Sequence, residues 1–275
     1  MTDEQTGLPS PPWWSSREGR KAARDERRRQ RHEGREAERA LRRGGPPRDP
    51  ITPDRLADAA LKLIDEQGIE GLTVRSLAQA LGVGTMTIYW YVQNKEEVLD
   101  LVADRILAGV EIPPPGGDWR VAGRTAAVSV RQRMMAHARA VVVMVGRGSF
   151  GPNGMRMIEQ ALAIFRAAGF DDIEAADAYF AFSNYVTGFC LMQTTTVAVA
   201  GRPDIDRRTY AQMVASYIAS LPPELYPNLQ AAAPRIFTAS LDDRFSFGVE
   251  CLIGGLEAKL AAKRTGAATA PKEEP

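Results

Sequence analysis

Apolar positions in this chain recur at the three- and four-residue spacing of helices, and no stretch shows the convincing alternation of a strand. Leu56, Ala59, Ala60, Leu63 and Ile64 form the first stripe. It opens at Thr52-Pro53, where a threonine hydroxyl can accept an orphan amide and proline is tolerated at the first helical position. Gly68 stops it. Thr73 caps a second helix with a buried face of Leu77, Ala78 and Leu81, and Gly82-Val83-Gly84 supplies a turn. A third helix is predicted over 85–91. Asn94 then caps a fourth, with Glu97 completing a box-like cap and Val98, Leu101, Val102, Ile106 and Leu107 as its stripe. After Pro113-Pro114-Pro115-Gly116-Gly117 the period resumes, predicting helices over 119–137, 155–168, 175–200, 210–220 and 245–262. The expected fold class is all-α.

Composition changes this picture in one place. Apolar residues are 44% of the 275 and the net charge is only +1, both ordinary values. Yet residues 17–48 hold thirteen Arg or Lys against six Asp or Glu, while the chain from 51 onward holds 22 basic against 25 acidic. Positive charge is thus gathered in an N-terminal extension over 1–50, which points to a polyanionic partner. The extension carries opposite-sign pairs four apart, such as Asp25 with Arg29 and Glu38 with Arg42, but almost no apolar stripe. It is expected to be disordered alone and helical when bound.

Other chemistry is sparse. Cys190 and Cys251 lie in apolar helical contexts and are expected to be small buried hydrophobes, so no disulfide framework or metal set is expected and a reducing cytoplasm is the natural compartment. Trp13 and Trp14 are followed at once by polar residues, unlike the core of a signal peptide. The longest clean apolar run, 140–145, is far short of the ~20 residues a spanning helix needs, so no membrane partner is expected.

The second and third predicted helices have the geometry of a helix-turn-helix, whose second helix lies in the DNA major groove. Thr85, Met86 and Thr87 begin that helix and are the candidates for base edges, through hydroxyls and through methyl contact with thymine. Tyr89, Tyr91 and Lys95 lie further along and would hold phosphates, which position a domain without reading sequence. Thr73 offers a hydroxyl and helix N-terminal amides to a phosphate, and Arg75 can reach a guanine edge or the backbone.

The run from Thr52 to Leu107 resembles the N-terminal domain of the TetR family of bacterial one-component regulators, most of all its tetracycline-repressor branch. The residues that carry the likeness are Gly71-Leu72-Thr73, Arg75, Leu77-Ala78, Leu81-Gly82-Val83, Thr87-Ile88-Tyr89-Trp90, Val92, Asn94-Lys95 and Leu99. Phe245 to Glu250 followed by Gly255-Leu256-Glu257 is similar to the branch's last dimerisation helix. The resemblance implies an Ω-like dimer with a ligand cavity in each C-terminal core and release from an operator when ligand binds. The implied organisation is the extension (1–50), a three-helix DNA-binding domain (51–110), a helical ligand-binding and dimerisation domain (118–263) and a flexible tail (264–275).

Independently of that likeness, 175–200 and 245–262 are apolar on more than one face and contain Gly188, Gly254 and Gly255, which permit close helix approach. Such helices suit a dimer interface, and a dimer makes a palindromic site natural. For an effector pocket the candidates are Trp119, Met134, His137, Met144, Phe150, Met155, Tyr179, Phe182, Asn184, Tyr185, Phe189 and Met192, which combine aromatic and thioether walls with polar tips. Tetracycline repressors hold a magnesium–drug chelate in this region through histidines and polar groups. At the matching positions this chain has Met144 and Ala161, which cannot replace them. The expected effector is therefore a metal-free, flatter, apolar or aromatic molecule, antibiotic-like by analogy. No metal or cofactor is expected.

Immediately upstream of the reading helices, Arg24, Arg27, Arg28, Arg29 and Arg31 are placed to follow the DNA backbone or enter a minor groove, although a basic tail can also be solvated filler. Competing functions are weaker. An enzyme would need a nucleophile–base pair, metal cluster or phosphate loop, none of which is visible. A sequence-neutral DNA-coating protein would explain the arm but not the turn-helix or the large apolar domain. An activator of the same fold stays open beside the repressor.

Overall fold

Helix α1 (Pro53–Gln67) starts where Thr52 Oγ1 accepts the Arg55 N–H at 3.2 Å and ends at Gly68. A short 3-10 turn (Ile69–Gly71) leads to α2 (Val74–Leu81), α3 (Thr85–Ile88) and α4 (Lys95–Ile106). In this computed structural model the described residues are 51–144, 147, 150–199 and 207–269. Leu56, Ile64, Leu77, Ile88 and Val102 are fully buried between these four helices, and α4 is the main packing partner of α1. Apolar burial at the predicted stripes is what holds this small unit together.

The remaining helices are α5 (Trp119–Ala136), a 3-10 segment (Ala138–Met144), α6 (Pro152–Ala168), α7 (Asp172–Val199), α8 (Arg207–Ala219), α9 (Pro227–Thr238) and α10 (Leu241–Thr269). No strand occurs among the described residues. Helix α7 is central and packs on α5, α6, α10 and the 3-10 segment, while α8 and α9 pair mainly with each other. Buried residues from Ile51 to Leu260 form one continuous cluster through both halves. Three pairs bind α5 to α10 in antiparallel register: Arg120 with Glu257, Arg124 with Glu250 through bonds of 2.6 and 2.7 Å, and Arg131 with Asp242 at 2.8 Å. Most of these side chains are largely solvated, so the pairs fix register more than they add stability.

Several boundaries differ from expectation. The third helix is α-helical only to Ile88. Trp90 and Tyr91 then donate to carbonyls three residues back, at 3.2 and 2.9 Å, because the chain must turn to bury Val92 and restart at the Asn94 cap. Helix α9 was not anticipated, since Pro227 and Pro234 mask its period. Helix α10 runs to Thr269, beyond residue 264, where the sequence suggested a frayed tail. Cys190 is buried as expected, but Cys251 is exposed, because it lies on the side of α10 away from Phe245, Val249 and Ile253.

Candidate DNA-reading head and effector cavity

The reading head is built from caps. Thr73 Oγ1 accepts the Ser76 N–H at 3.0 Å and Ser76 Oγ accepts the Thr73 N–H at 2.9 Å, a reciprocal box that fixes the start of α2. Its hydroxyl is therefore already engaged. Gly82 ends α2 with φ of 67°, a left-handed conformation that favours glycine, and its N–H returns to the carbonyls of Ala78 and Gln79. The turn delivers α3 with Ile88 wholly buried and the opposite side outward. Met86 is 71% exposed, Thr85 and Tyr89 are exposed, and Thr87 is half-buried. Arg75 projects from the first turn of α2. Tyr91 packs against the core, and Lys95 Nζ donates to the Ile69 carbonyl at 2.8 Å. The candidate base-contacting and phosphate-contacting residues thus share one side of the domain, except that Tyr91 is partly withdrawn. The arm residues Arg24, Arg27, Arg28, Arg29 and Arg31 lie outside the described residues.

In the other half α5, α6 and α7 enclose a cleft of about 740 Å³, open mouth included. Met134, Met144, Met157, Phe165 and Phe182 form much of its wall, with Leu107 and Ile112 at the end nearest the reading head. None of its lining side chains carries a formal charge. Tyr179, Ser183 and Thr187 supply hydroxyls, and Tyr179 is hydrogen-bonded to Ser183. Burial pushes the Tyr179 phenol above its ordinary range despite that bond.

Of the residues expected in a pocket, Met134, Met144, Phe182 and Tyr179 line this cleft. Trp119 stands behind it, edge-on to Phe170 at 5.7 Å and tilted on Phe165 at 6.3 Å. The others serve elsewhere. His137 Nδ1 donates to Asp65 of α1 at 2.7 Å. Tyr185 stacks on Phe245 and donates to its carbonyl at 2.9 Å, and Phe189 meets the same ring, with the Arg131 guanidinium 4.8 Å above it. Phe150, Met155, Asn184 and Met192 are exposed. Met157, Ser183 and Thr187 line the cleft unanticipated. The signal for the last two was available, because they follow Tyr179 at four-residue intervals on one face of α7.

The two halves share α4. Its Asn94 cap closes the reading head, and Leu107, next after its last turn, is in the cleft wall. Asp104 caps α6 from outside that helix, accepting the Gly154 N–H at 2.9 Å and the Asn153 side-chain amide at 2.8 Å. A Cβ at Gly151 would overlap the Asp104 carboxyl, so glycine permits this approach. Arg147 adds a pair to Asp100 at 2.7 Å and another to Glu96, and Arg139 donates to the Glu66 carbonyl of α1 at 2.7 Å. Asp104 and Arg147 link the cleft's helix layer to α4; His137 and Arg139 link it to α1.

Residues 56–102 match the profile of bacterial regulatory proteins of the tetR family, and residues 112–260 match the tetracyclin repressor-like C-terminal domain. The chain belongs to the TetR family. Among relatives, it is 32% identical over 224 residues to the HTH-type transcriptional repressor DrrR1 of Streptomyces coeruleorubidus, covering 79% of this chain and 82% of that protein. It is also 32% identical over 210 residues to tetracycline repressor protein class D of Escherichia coli, covering 74% and 88%. The Streptomyces coelicolor TetR family protein ActR, solved with actinorhodin, superposes with a TM-score of 0.69 at 34% identity, covering 77% of this chain and 97% of that one.

TetR-family regulators bind DNA and small molecules and act as dimers. An unpartnered surface fits that assembly. On α7, Ile173, Phe180, Asn184, Gly188 and Met192 are exposed along one stripe, as are Phe247, Cys251 and Gly254 on α10. No described helix is long and apolar enough to cross a membrane.

Proposed function

We propose that this TetR-family protein is a ligand-responsive repressor that binds a palindromic operator as a homodimer and is released by a small apolar or aromatic, antibiotic-like effector. The observation that carries this is the sharing of α4 between head and cleft, by the Asn94 cap at one end and Leu107 and Asp104 at the other. A ligand that spreads the cleft shifts the helix on which the head is mounted. Thr85, Met86 and Thr87 meet bases, while Arg75, Tyr89 and Lys95 meet phosphates, assisted by the Thr73 end of α2. The exposed stripes on α7 and α10 set the spacing of two heads, and α7 and α10 form the four-helix interface. The effector is metal-free: the cleft's own side chains include no carboxylate or imidazole, so they do not fit a magnesium chelate.

The basic arm, through Arg24, Arg27, Arg28, Arg29 and Arg31, extends the grip over phosphates or into the neighbouring minor groove. Deleting residues 1–45 weakens binding and flattens its salt dependence while leaving sequence preference intact; unchanged affinity and slope would remove the arm from the account.

The deciding experiment is a gel shift of the protein against the DNA upstream of its own gene, with random DNA as competitor. Selective retention supports the repressor, and indifference to sequence supports a DNA-coating role. A reporter driven from the same upstream DNA separates repression from activation.

A further inference from the structure

Within the cleft, the hydroxyl-bearing residues are not scattered. Tyr179, Ser183 and Thr187 follow one another at four-residue intervals along α7, a line about 12 Å long at 1.5 Å per residue. The flank of the same helix face toward Phe182 and Val186 is apolar. Met134, Met144 and Met157 come from α5, the 3-10 segment and α6. The cleft therefore has one oxygen-reading edge and thioether-rich walls, and no charge anywhere on it.

Resting on the effector role proposed above, the geometry points to a neutral fused-ring aromatic ligand with several hydroxyl or carbonyl oxygens along one long edge, laid against Tyr179, Ser183 and Thr187. Each hydroxyl can donate to a ring carbonyl or accept from a ring hydroxyl. A molecule lacking those oxygens leaves the three hydroxyls without exchange for the water they lose. A charged molecule must leave its hydration behind with no counter-charge to meet it. Polarisable thioethers suit the flat faces of such rings, because methionine adapts its shape and sulfur contacts aromatics favourably. Phe165 and Phe182, with ring centroids 5.9 Å apart, give the rings an aromatic neighbour.

The test uses the full-length protein and three probes: a peri-dihydroxylated anthraquinone, its unoxygenated parent anthracene and the anthraquinone sulfonate. Binding is read by titration calorimetry, and operator release by gel shift. The dihydroxylated probe binds tightest and releases DNA, and the sulfonate binds weakest. Ser183→Ala and Thr187→Val each weaken the dihydroxylated probe about five-fold, which is about 1 kcal/mol at 1.4 kcal/mol per tenfold, and leave anthracene unchanged. Their DNA shift and melting temperature stay at wild-type values, which shows both variants folded. Equal losses for the two neutral probes, or a sulfonate bound as tightly as the dihydroxylated probe, overturn the proposed edge. Failure of all three probes with DNA binding intact overturns this ligand class alone, whereas failure to bind DNA overturns the repressor role.

Discussion

Asp104 on α4 accepts the backbone N–H of Gly154 on α6 at 2.9 Å, so a carboxylate belonging to one half of the protein caps a helix of the other. Asp104→Ala removes that cap and lowers stability by about 1 kcal/mol. It also loosens the joint through which the cleft moves α4. The expected result is normal operator binding with a higher effector concentration needed for release, measured by gel shift across an effector series. A variant that melts earlier yet releases at the usual concentration would reduce Asp104 to a structural cap.

The division of labour on the head predicts two different signatures. Met86→Ala and Thr87→Ala cost about 1–3 kcal/mol on the preferred operator and relax its sequence preference, with the salt slope unchanged. Lys95→Gln weakens binding evenly across sequences and shallows the slope by about one. Because Lys95 Nζ also donates to Ile69, its melting temperature is followed in parallel. Reversed signatures would reassign which residues touch bases.

Phe247 is 71% exposed on α10 beside Cys251, which makes a charge there a probe of assembly. Phe247→Asp is expected to yield monomers in sedimentation and to abolish tight operator binding. Cys251 should alkylate faster in that variant than in the wild type. Cys190, whose thiol burial pushes up to about 11, stays unreactive in both until the protein is denatured. Dimers that persist in Phe247→Asp would move the interface elsewhere.

Asp171 caps α7 by accepting the Glu174 N–H at 3.0 Å and meets Lys263 of α10 at 3.0 Å. The Glu174 amide first, and then Lys263, lower its carboxyl from 3.8 to about 2. A depressed folded value means the contribution is complete above the unfolded pKa and is lost as pH falls from about 4 toward 2. Melting curves should show a steeper acid loss for wild type than for Asp171→Asn between those limits. Carbon NMR of the carboxylate checks the value directly, and a midpoint near 4 would contradict it.

The head was nearly fully legible because its elements are set by local chemistry. Thr52, Thr73 and Asn94 cap where their types predict, and Gly82 adopts the conformation only glycine takes easily. The cleft was only half legible, because apolar helices with more than one apolar face do not reveal which face looks inward. Met134 and Met157 face the cleft while Met155 and Met192 face outward, and nothing in a methionine's local sequence distinguishes them. His137 was read as a ligand contact, whereas its carboxylate partner, Asp65, is remote in sequence. Helix α6 likewise begins earlier than its own residues suggest, because Asp104, its cap, lies on α4.

Leu107 belongs at once to the chain leaving the reading head and to the wall of the cleft. The orientation of the head is therefore part of the shape an effector encounters. Under the proposed function linkage makes this mutual: whatever factor the effector takes from operator affinity, the operator takes from effector affinity. DNA is then itself an antagonist of the small molecule. Protein scattered on non-cognate sequence and protein seated on its operator should sense different effector concentrations, so the threshold for release belongs to the promoter as much as to the protein.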